Sequence, residues 1–237
     1  MYIILKSYSI LKIITFNGGI LAMLNNNIKG AIFDVDGTLI DSMQLWHKID
    51  IEFLRKRKME VPEDLKDNID NLTFIQTAEY FKSRFNLKDT TQSVMDEWNN
   101  MALYEYSNNI GLKKGVKTFL DFLKSNNIKM SIATTNCEML VNAVLKNKNI
   151  IDYFEEITTT SEVKRGKNFP DIYLLSAKKL NLKPQNCIVF EDILPAVIGA
   201  KKAGMTVIGV HDCYSEYQKN DIIKCADKYI YDFGELI

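Results

Sequence analysis

The decapeptide Ala31-Ile32-Phe33-Asp34-Val35-Asp36-Gly37-Thr38-Leu39-Ile40 constrains this chain more than any other stretch. It opens as an apolar, β-prone run, the pattern of a strand buried on both faces in a parallel sheet. The run then gives way to two acids flanking a valine, followed by Gly37 and Thr38. Residues two apart share a face of a strand, and at a strand end both carboxylates can reach a common site. Open α/β sheets bind ligands at the carboxyl ends of their strands. The plainer alternative is a strand that ends in an Asp-Gly turn and does nothing more.

The chain has 237 residues, 46% of them hydrophobic, enough for one large domain or for a core with a smaller insert. Thirty basic residues balance thirty acidic ones, which argues against nucleic acid or another polyanion as partner. Cys137, Cys187, Cys213 and Cys225 are widely spaced, with no CxxC, and read as buried free thiols in a reducing cytosol. With only His47 and His211, neither a His-based triad nor a His-rich metal site is well supported. Chemistry falls to carboxylates, hydroxyls and lysines. Residues 1–24 form an apolar extension of doubtful role, interrupted by Lys6, Lys12 and Asn17-Gly18-Gly19. It is expected to be dispensable, with no stable membrane association.

From Asp41 the pattern turns helical. Leu45, Ile49, Ile51 and Phe53-Leu54 mark one helix, and Arg55–Lys58 near its end read as a solvated face. Pro62 opens a short acidic piece. Thr73 can cap a helix carrying Phe74, Ala78, Phe81 and Phe85, and another helix runs from about Thr91 to Tyr106. Tyr104 and Tyr106 read as core of this insert, with pocket lining as the alternative. The expected division is therefore a helical insert over 43–111 within a core made of 25–42 and 112–237.

Beyond Gly115 helix and strand alternate, the mark of a doubly wound, Rossmann-like parallel sheet. Ile128–Ala133 is a strand ending in Thr134-Thr135-Asn136, whose side chains can cap the next helix; its N-terminal N–H groups suit an anion. Lys167 precedes Pro170 on a loop opened by Gly166. Asn186–Phe190 is a further strand ending in Glu191-Asp192, adjacent acids that are costly neighbours unless a cation lies between them. A helix from about Pro195 to Ala203 stops at Gly204, before a strand over Met205–Val210.

DVDGTL, IATTN, GKNFPD and VFEDILPAV, in this order, resemble the four motifs of the haloacid dehalogenase superfamily. The likeness is to its phosphatase and beta-phosphoglucomutase-like group, which carries a helical cap after the first motif, and it covers residues 29 to about 232. One departure is Asn168-Phe169, where many relatives have Pro-Ala; altered packing of that loop is expected. The resemblance implies that Asp34 is a nucleophile forming an aspartyl phosphate and that Asp36 is the general acid and base. It implies Mg2+ held by Asp34, the main-chain carbonyl of Asp36, Asp192, and Glu191 directly or through water. Thr134 and N–H groups near Gly37 and Thr135 would hold phosphate oxygens, and Lys167 would balance charge. Trp46 and the stretch 71–77 are the expected substrate contacts, with cap core as the equal alternative, and hinges are expected near Ile40–Ser42 and Gly111–Lys114.

The implied function is a Mg2+-dependent phosphatase acting on a small phosphorylated metabolite, a sugar or polyol phosphate, as a cytoplasmic monomer. A phosphohexose mutase using the same intermediate is the alternative, although the mutases of this group carry a histidine where this chain has Trp46. A dehalogenase would not keep the second acid, and intact Asp34, Asp36, Lys167 and Asp192 speak against a binding module without catalysis.

Overall fold

The apolar run before the two acids forms β1 (Gly30–Phe33), buried along its whole length. It pairs in parallel with β2 (Lys129–Thr134) on one side and β4 (Cys187–Glu191) on the other. β3 (Glu156–Thr159) lies outside β2, while β5 (Thr206–Val210) and β6 (Lys228–Ile230) continue beyond β4. The resulting order, β3-β2-β1-β4-β5-β6, is that of a doubly wound sheet. Its winding direction reverses between β1 and β4, the place where such sheets open a crevice. This computed structural model describes residues 28–69, 72 and 74–237. The extension 1–24 and the Thr73 cap lie outside the described residues.

Between Asp41 and Leu112 the described residues are helical or irregular. The helices are α1 (Met43–Lys56), α2 (Leu65–Ile69), α3 (Phe74–Arg84) and α4 (Thr91–Asn108). In α4 the buried residues Val94, Trp98, Ala102 and Tyr106 recur every four positions, giving one apolar stripe. The Thr90 hydroxyl accepts from Ser93 N at 3.0 Å and caps its start. Arg57 at the end of α1 is not simply solvated, as its basic neighbours suggested. It pairs with Glu97 at 2.6 Å and Asp89 at 3.3 Å, with its guanidinium 3.7 Å above the Phe53 ring. The two chain crossings between insert and core bond to each other. Ile40 and Leu112 form an antiparallel bridge, Asp41 N donates to Gly111 O at 3.1 Å, and Lys113 N donates to Leu39 O at 2.9 Å.

One face of the sheet is covered by α5 (Val116–Ser125) and α6 (Glu138–Asn147). The other is covered by α7 (Asp171–Lys179), α8 (Leu194–Lys202) and α9 (Lys219–Cys225). The period-two alternation of β1 assigns its side chains accordingly: Ala31 and Phe33 to the first face, Ile32 to the second. Phe33 stacks on Phe190 at 4.6 Å and meets Phe119 and Phe154 edge-on, so an aromatic cluster lies directly beneath the acid-bearing ends of β1 and β4. Of the four free cysteines Cys187 is buried, but Cys137 and Cys213 are exposed, contrary to expectation.

Two residues give the fold measurable signatures. A Cβ on Gly199 in α8 would lie 1.9 Å from the carbonyl oxygen of Lys167, so only glycine lets the Lys167 loop seat on that helix. Gly199→Ala is therefore expected to destabilise the fold by about 1–3 kcal/mol in urea unfolding, and parental stability would contradict this close approach. Asp50, buried in α1, has its pKa raised from 3.8 to about 7 by burial. The unfolded chain releases this proton near 3.8 and the folded chain near 7, so the group favours the folded state at low pH and loses that effect as pH rises toward 7. The stability of Asp50→Asn relative to the parent should improve by more than ~1 kcal/mol between acidic and mildly alkaline buffer, one pKa unit being about 1.4 kcal/mol. Parallel pH curves for the two chains would contradict it.

Candidate active site

The turn after β1 is wound tightly around one carbonyl. Val35 O accepts from the N–H groups of Leu39 and Ile40 at 2.9 and 3.0 Å and more weakly from Thr38 at 3.3 Å. Gly37 has φ +82°, and a Cβ there would come 2.3 Å from Asp192 Oδ2. Glycine is thus needed both for the backbone and for the approach of Asp192. The Gly37 N–H donates to Ile40 O at 3.0 Å, so it closes the turn rather than facing a ligand. The turn separates the two acids: Asp34 is buried in the core, while Asp36 is half-buried and faces the insert.

Around Asp34 the ends of β1 and β4 and the Lys167 loop meet. Lys167 Nζ donates to Asp34 Oδ1 and, at 2.7 Å, to Glu191 Oε1, which also accepts from Tyr173 OH at 2.8 Å. Thr38 Oγ1 donates to Asp192 Oδ1 at 3.3 Å. The remaining oxygens, Glu191 Oε2 and Asp192 Oδ2, are buried without a hydrogen-bond partner among the described residues. Burial is the largest influence on Asp34 and raises its pKa; Lys167 opposes this and Asp36 adds to it. Burial likewise lifts Glu191 to about 7, with Lys167 opposing and Asp34 adding. Asp192 is raised well above the carboxylate range by burial, Asp34 and Glu191. Burial disfavours the Lys167 ammonium, yet Asp34 and Glu191 outweigh it and hold the proton. Three buried carboxylates thus share one ammonium, and one oxygen of each lies within 4.8 Å of the others. An all-oxygen set with orphaned acceptors and excess negative charge suits a hard divalent cation such as Mg2+.

Asp36 is held by a different set. Its Oδ1 accepts from Ser42 Oγ at 2.6 Å and from Tyr106 OH, and its Oδ2 accepts from Asn136 Nδ2 at 2.9 Å. Tyr106 was expected as insert core, and its ring is buried there, but its hydroxyl reaches the site. Burial first, then Asp36, pushes the phenol far above the tyrosine range, so it remains a donor. Asn136 was expected as a helix cap. It does accept from Cys137 N at 2.8 Å, but its amide turns to Asp36, and α6 has no side-chain cap. Thr134, at the buried end of β2, accepts from Asn136 N at 3.0 Å, which leaves its hydroxyl proton to donate. Thr135 is exposed at the rim of a cleft of about 470 Å³ between insert and core, lined by Asp36, Trp46, Phe74 and Asn136 among others. The Trp46 ring stands edge-on to Phe74 at 5.6 Å. Phe169, the unusual residue of the Lys167 loop, lies under the Arg165 guanidinium at 4.4 Å.

The sheet order and the acid-lysine cluster at its switch point define a doubly wound α/β protein with a buried carboxylate site. Residues 31–210 match the family model of the haloacid dehalogenase-like hydrolases, and the chain belongs to that family. It is 28% identical over 178 residues to a phosphorylated carbohydrates phosphatase of Thermotoga maritima, across 75% of this chain and 82% of that one. Over 185 residues it is 30% identical to hexitol phosphatase A of Escherichia coli, across 77% of this chain and 83% of that one. A crystal structure of a proposed beta-phosphoglucomutase from Thermotoga maritima superposes with TM-score 0.77 at 26% identity, covering 88% of this chain and 97% of that one. By class the chain is a phosphoric monoester hydrolase.

Tyr106→Phe removes one donor from Asp36 and leaves the ring in place. A hydrogen bond from a neutral donor to a charged group contributes about 1.5–3 kcal/mol, so kcat should fall by roughly tenfold or more. An unchanged kcat would contradict a link between the insert and Asp36.

Proposed function

We propose that this enzyme is a Mg2+-dependent phosphatase that hydrolyses a small sugar or polyol phosphate through an aspartyl phosphate on Asp34. The observation that carries this reading is the division of the two acids. Asp34 lies beside Lys167 and the carboxylates of Glu191 and Asp192, whereas Asp36 lies at the cleft under Ser42, Tyr106 and Asn136. An attacking carboxylate needs cationic surroundings, and a group that exchanges protons with an alcohol needs the leaving-group side.

In this reading the Asp34 carboxylate attacks phosphorus, and Asp36 protonates the departing alkoxide. Asp36 then takes a proton from the water that cleaves the acyl phosphate. Lys167 Nζ fixes the orientation of Asp34 and offsets its charge. The Thr134 hydroxyl and N–H groups at the end of β2, including that of Thr135, hold phosphate oxygens. The side chains of Asp34, Asp192 and Glu191, with the main-chain carbonyl of Asp36, would hold Mg2+, which supplies positive charge between the nucleophile and the phosphate. Residues 43–111 act as a cap hinged at the paired crossings, with Trp46 on its substrate-facing wall. The same reading has the enzyme working as a cytoplasmic monomer; among the described residues no helix is long and apolar enough to cross a membrane.

Hydrolysis is favoured over mutase chemistry by the surroundings of Asp36. Its partners are a serine, a tyrosine and an asparagine, and Trp46 occupies the position where the mutases carry histidine. Asp34→Asn is expected to abolish Mg2+-dependent phosphate release while leaving the fold intact. The parent should liberate inorganic phosphate from hexose 6-phosphate or hexitol 6-phosphate, with or without added sugar bisphosphate. Stoichiometric conversion of a 1-phosphate into a 6-phosphate with negligible free phosphate would overturn the assignment.

A further inference from the structure

A second hollow of about 340 Å³, lined by the insert and by Tyr214 of the core, lies beside the cleft over Asp36 and shares Met43, Trp46 and Phe74 with it. Among the described residues, two buried polar atoms on its lining lack partners, and a buried acid beside them makes no hydrogen bond. Trp98 is 1% exposed, and its Nε1 is buried without an acceptor. His47 Nδ1 is likewise buried and unpaired. Asp50 is 8% exposed and makes no hydrogen bond or ion pair among the described residues. Buried polar groups are nearly always satisfied, so two orphans and an unpaired acid around one hollow point to something that fills it. The apolar stripe of α4 does not need an unmade indole N–H, and α1 does not need a buried acid.

We infer that this hollow is the subsite for the hydroxyl-bearing part of the leaving group, with Asp50, His47 and Trp98 as specificity-determining residues; the inference rests on the phosphatase reading above. The indole N–H can only donate, the Asp50 carboxyl accepts and, when protonated, also donates, and His47 Nδ1 does either according to its tautomer. A polyhydroxylated chain meets all three, because every hydroxyl both donates and accepts. An ammonium could not satisfy the Trp98 N–H. No lysine or arginine is among the described lining residues, so a second phosphate or a carboxylate on the substrate finds no countercharge. Trp46 and Phe74, edge-on at 5.6 Å, give the C–H faces of such a chain an apolar wall. The substrate class is thus a monophosphate ester of a polyhydroxylated alcohol that carries no further charge.

The test uses the full chain with Mg2+ and three probes: a hexitol 6-phosphate, p-nitrophenyl phosphate and 2-phosphoglycolate. Trp98→Phe and Asp50→Asn should each lower the ratio of kcat/KM for the hexitol phosphate to that for p-nitrophenyl phosphate at least tenfold, chiefly through KM. The parent should prefer the hexitol phosphate to 2-phosphoglycolate by at least a hundredfold. Calorimetric binding of hexitol 6-phosphate to Asp34→Asn reads the subsite without turnover, and adding Asp50→Asn should raise Kd at least tenfold. Ratios and Kd unchanged within twofold, as for a hollow filled only by water, would overturn the subsite, as would a preference for 2-phosphoglycolate. Failure of the parent to release phosphate while this binding difference persists would strike the phosphatase reading and leave the subsite standing.

Discussion

The ammonium of Lys167, buried between Asp34 and Glu191, is the contact on which the site depends. Each partner comes from a separate stretch: Asp34 from the end of β1, Glu191 from the end of β4, Lys167 from the loop before α7. Charges so deeply buried are tolerable only when paired, and removing one partner leaves the others uncompensated. The pairing therefore demands that β1 and β4 lie side by side in register, as Phe33 opposite Phe190 does. It also demands that the Lys167 loop come down onto α8, which the missing side chain of Gly199 permits. Tyr173 from α7 fixes the oxygen of Glu191 that faces the lysine. With those neighbours in place the unpaired oxygens of Glu191 and Asp192 are left together, which is what gives the cluster its appetite for a cation.

The insert completes what the core begins. Tyr106, near the end of the long helix α4, donates to Asp36 across 70 residues of sequence, and Ser42 at the first crossing donates to the same oxygen. Any movement of the insert away from the core must break the Tyr106 contact, so the surroundings of Asp36 report the position of the insert. The second crossing is anchored at its far side, where Lys113 pairs with the buried Asp212 at 2.8 Å, beyond the end of β5. The crossings thus form a short two-stranded seam tied to the sheet.

Where chemistry and local pattern coincide, the sequence alone was informative. β1 and its two acids were legible because an apolar run ending in Asp-Val-Asp-Gly has few other structural meanings. The boundaries of α4 were read closely because its buried residues keep a strict spacing of four. Edge strands were harder: β3 (EITT) and β6 (KYI) are short and half polar, so neither stands out from a loop. Asn136 illustrates a deeper limit, since an amide after a strand looks the same whether it caps its own helix or turns to an aspartate 100 residues away. Tyr106 and Tyr173 carry no local mark at all; each is an aromatic at a core spacing whose hydroxyl happens to end at a carboxylate. The roles of Gly199 and Arg57 likewise emerge only from what packs against them.

The central claim is that Asp34, oriented by Lys167, carries the phosphoryl group. It is tested most directly by mixing enzyme, Mg2+ and hexitol 6-phosphate, quenching in acid within one turnover, and reducing with borohydride. An acyl phosphate is reduced to an alcohol, so peptide mass spectrometry should find homoserine at position 34 and aspartate retained at 36 and 192. Homoserine at another position, or none while phosphate is released in a burst, would contradict the account.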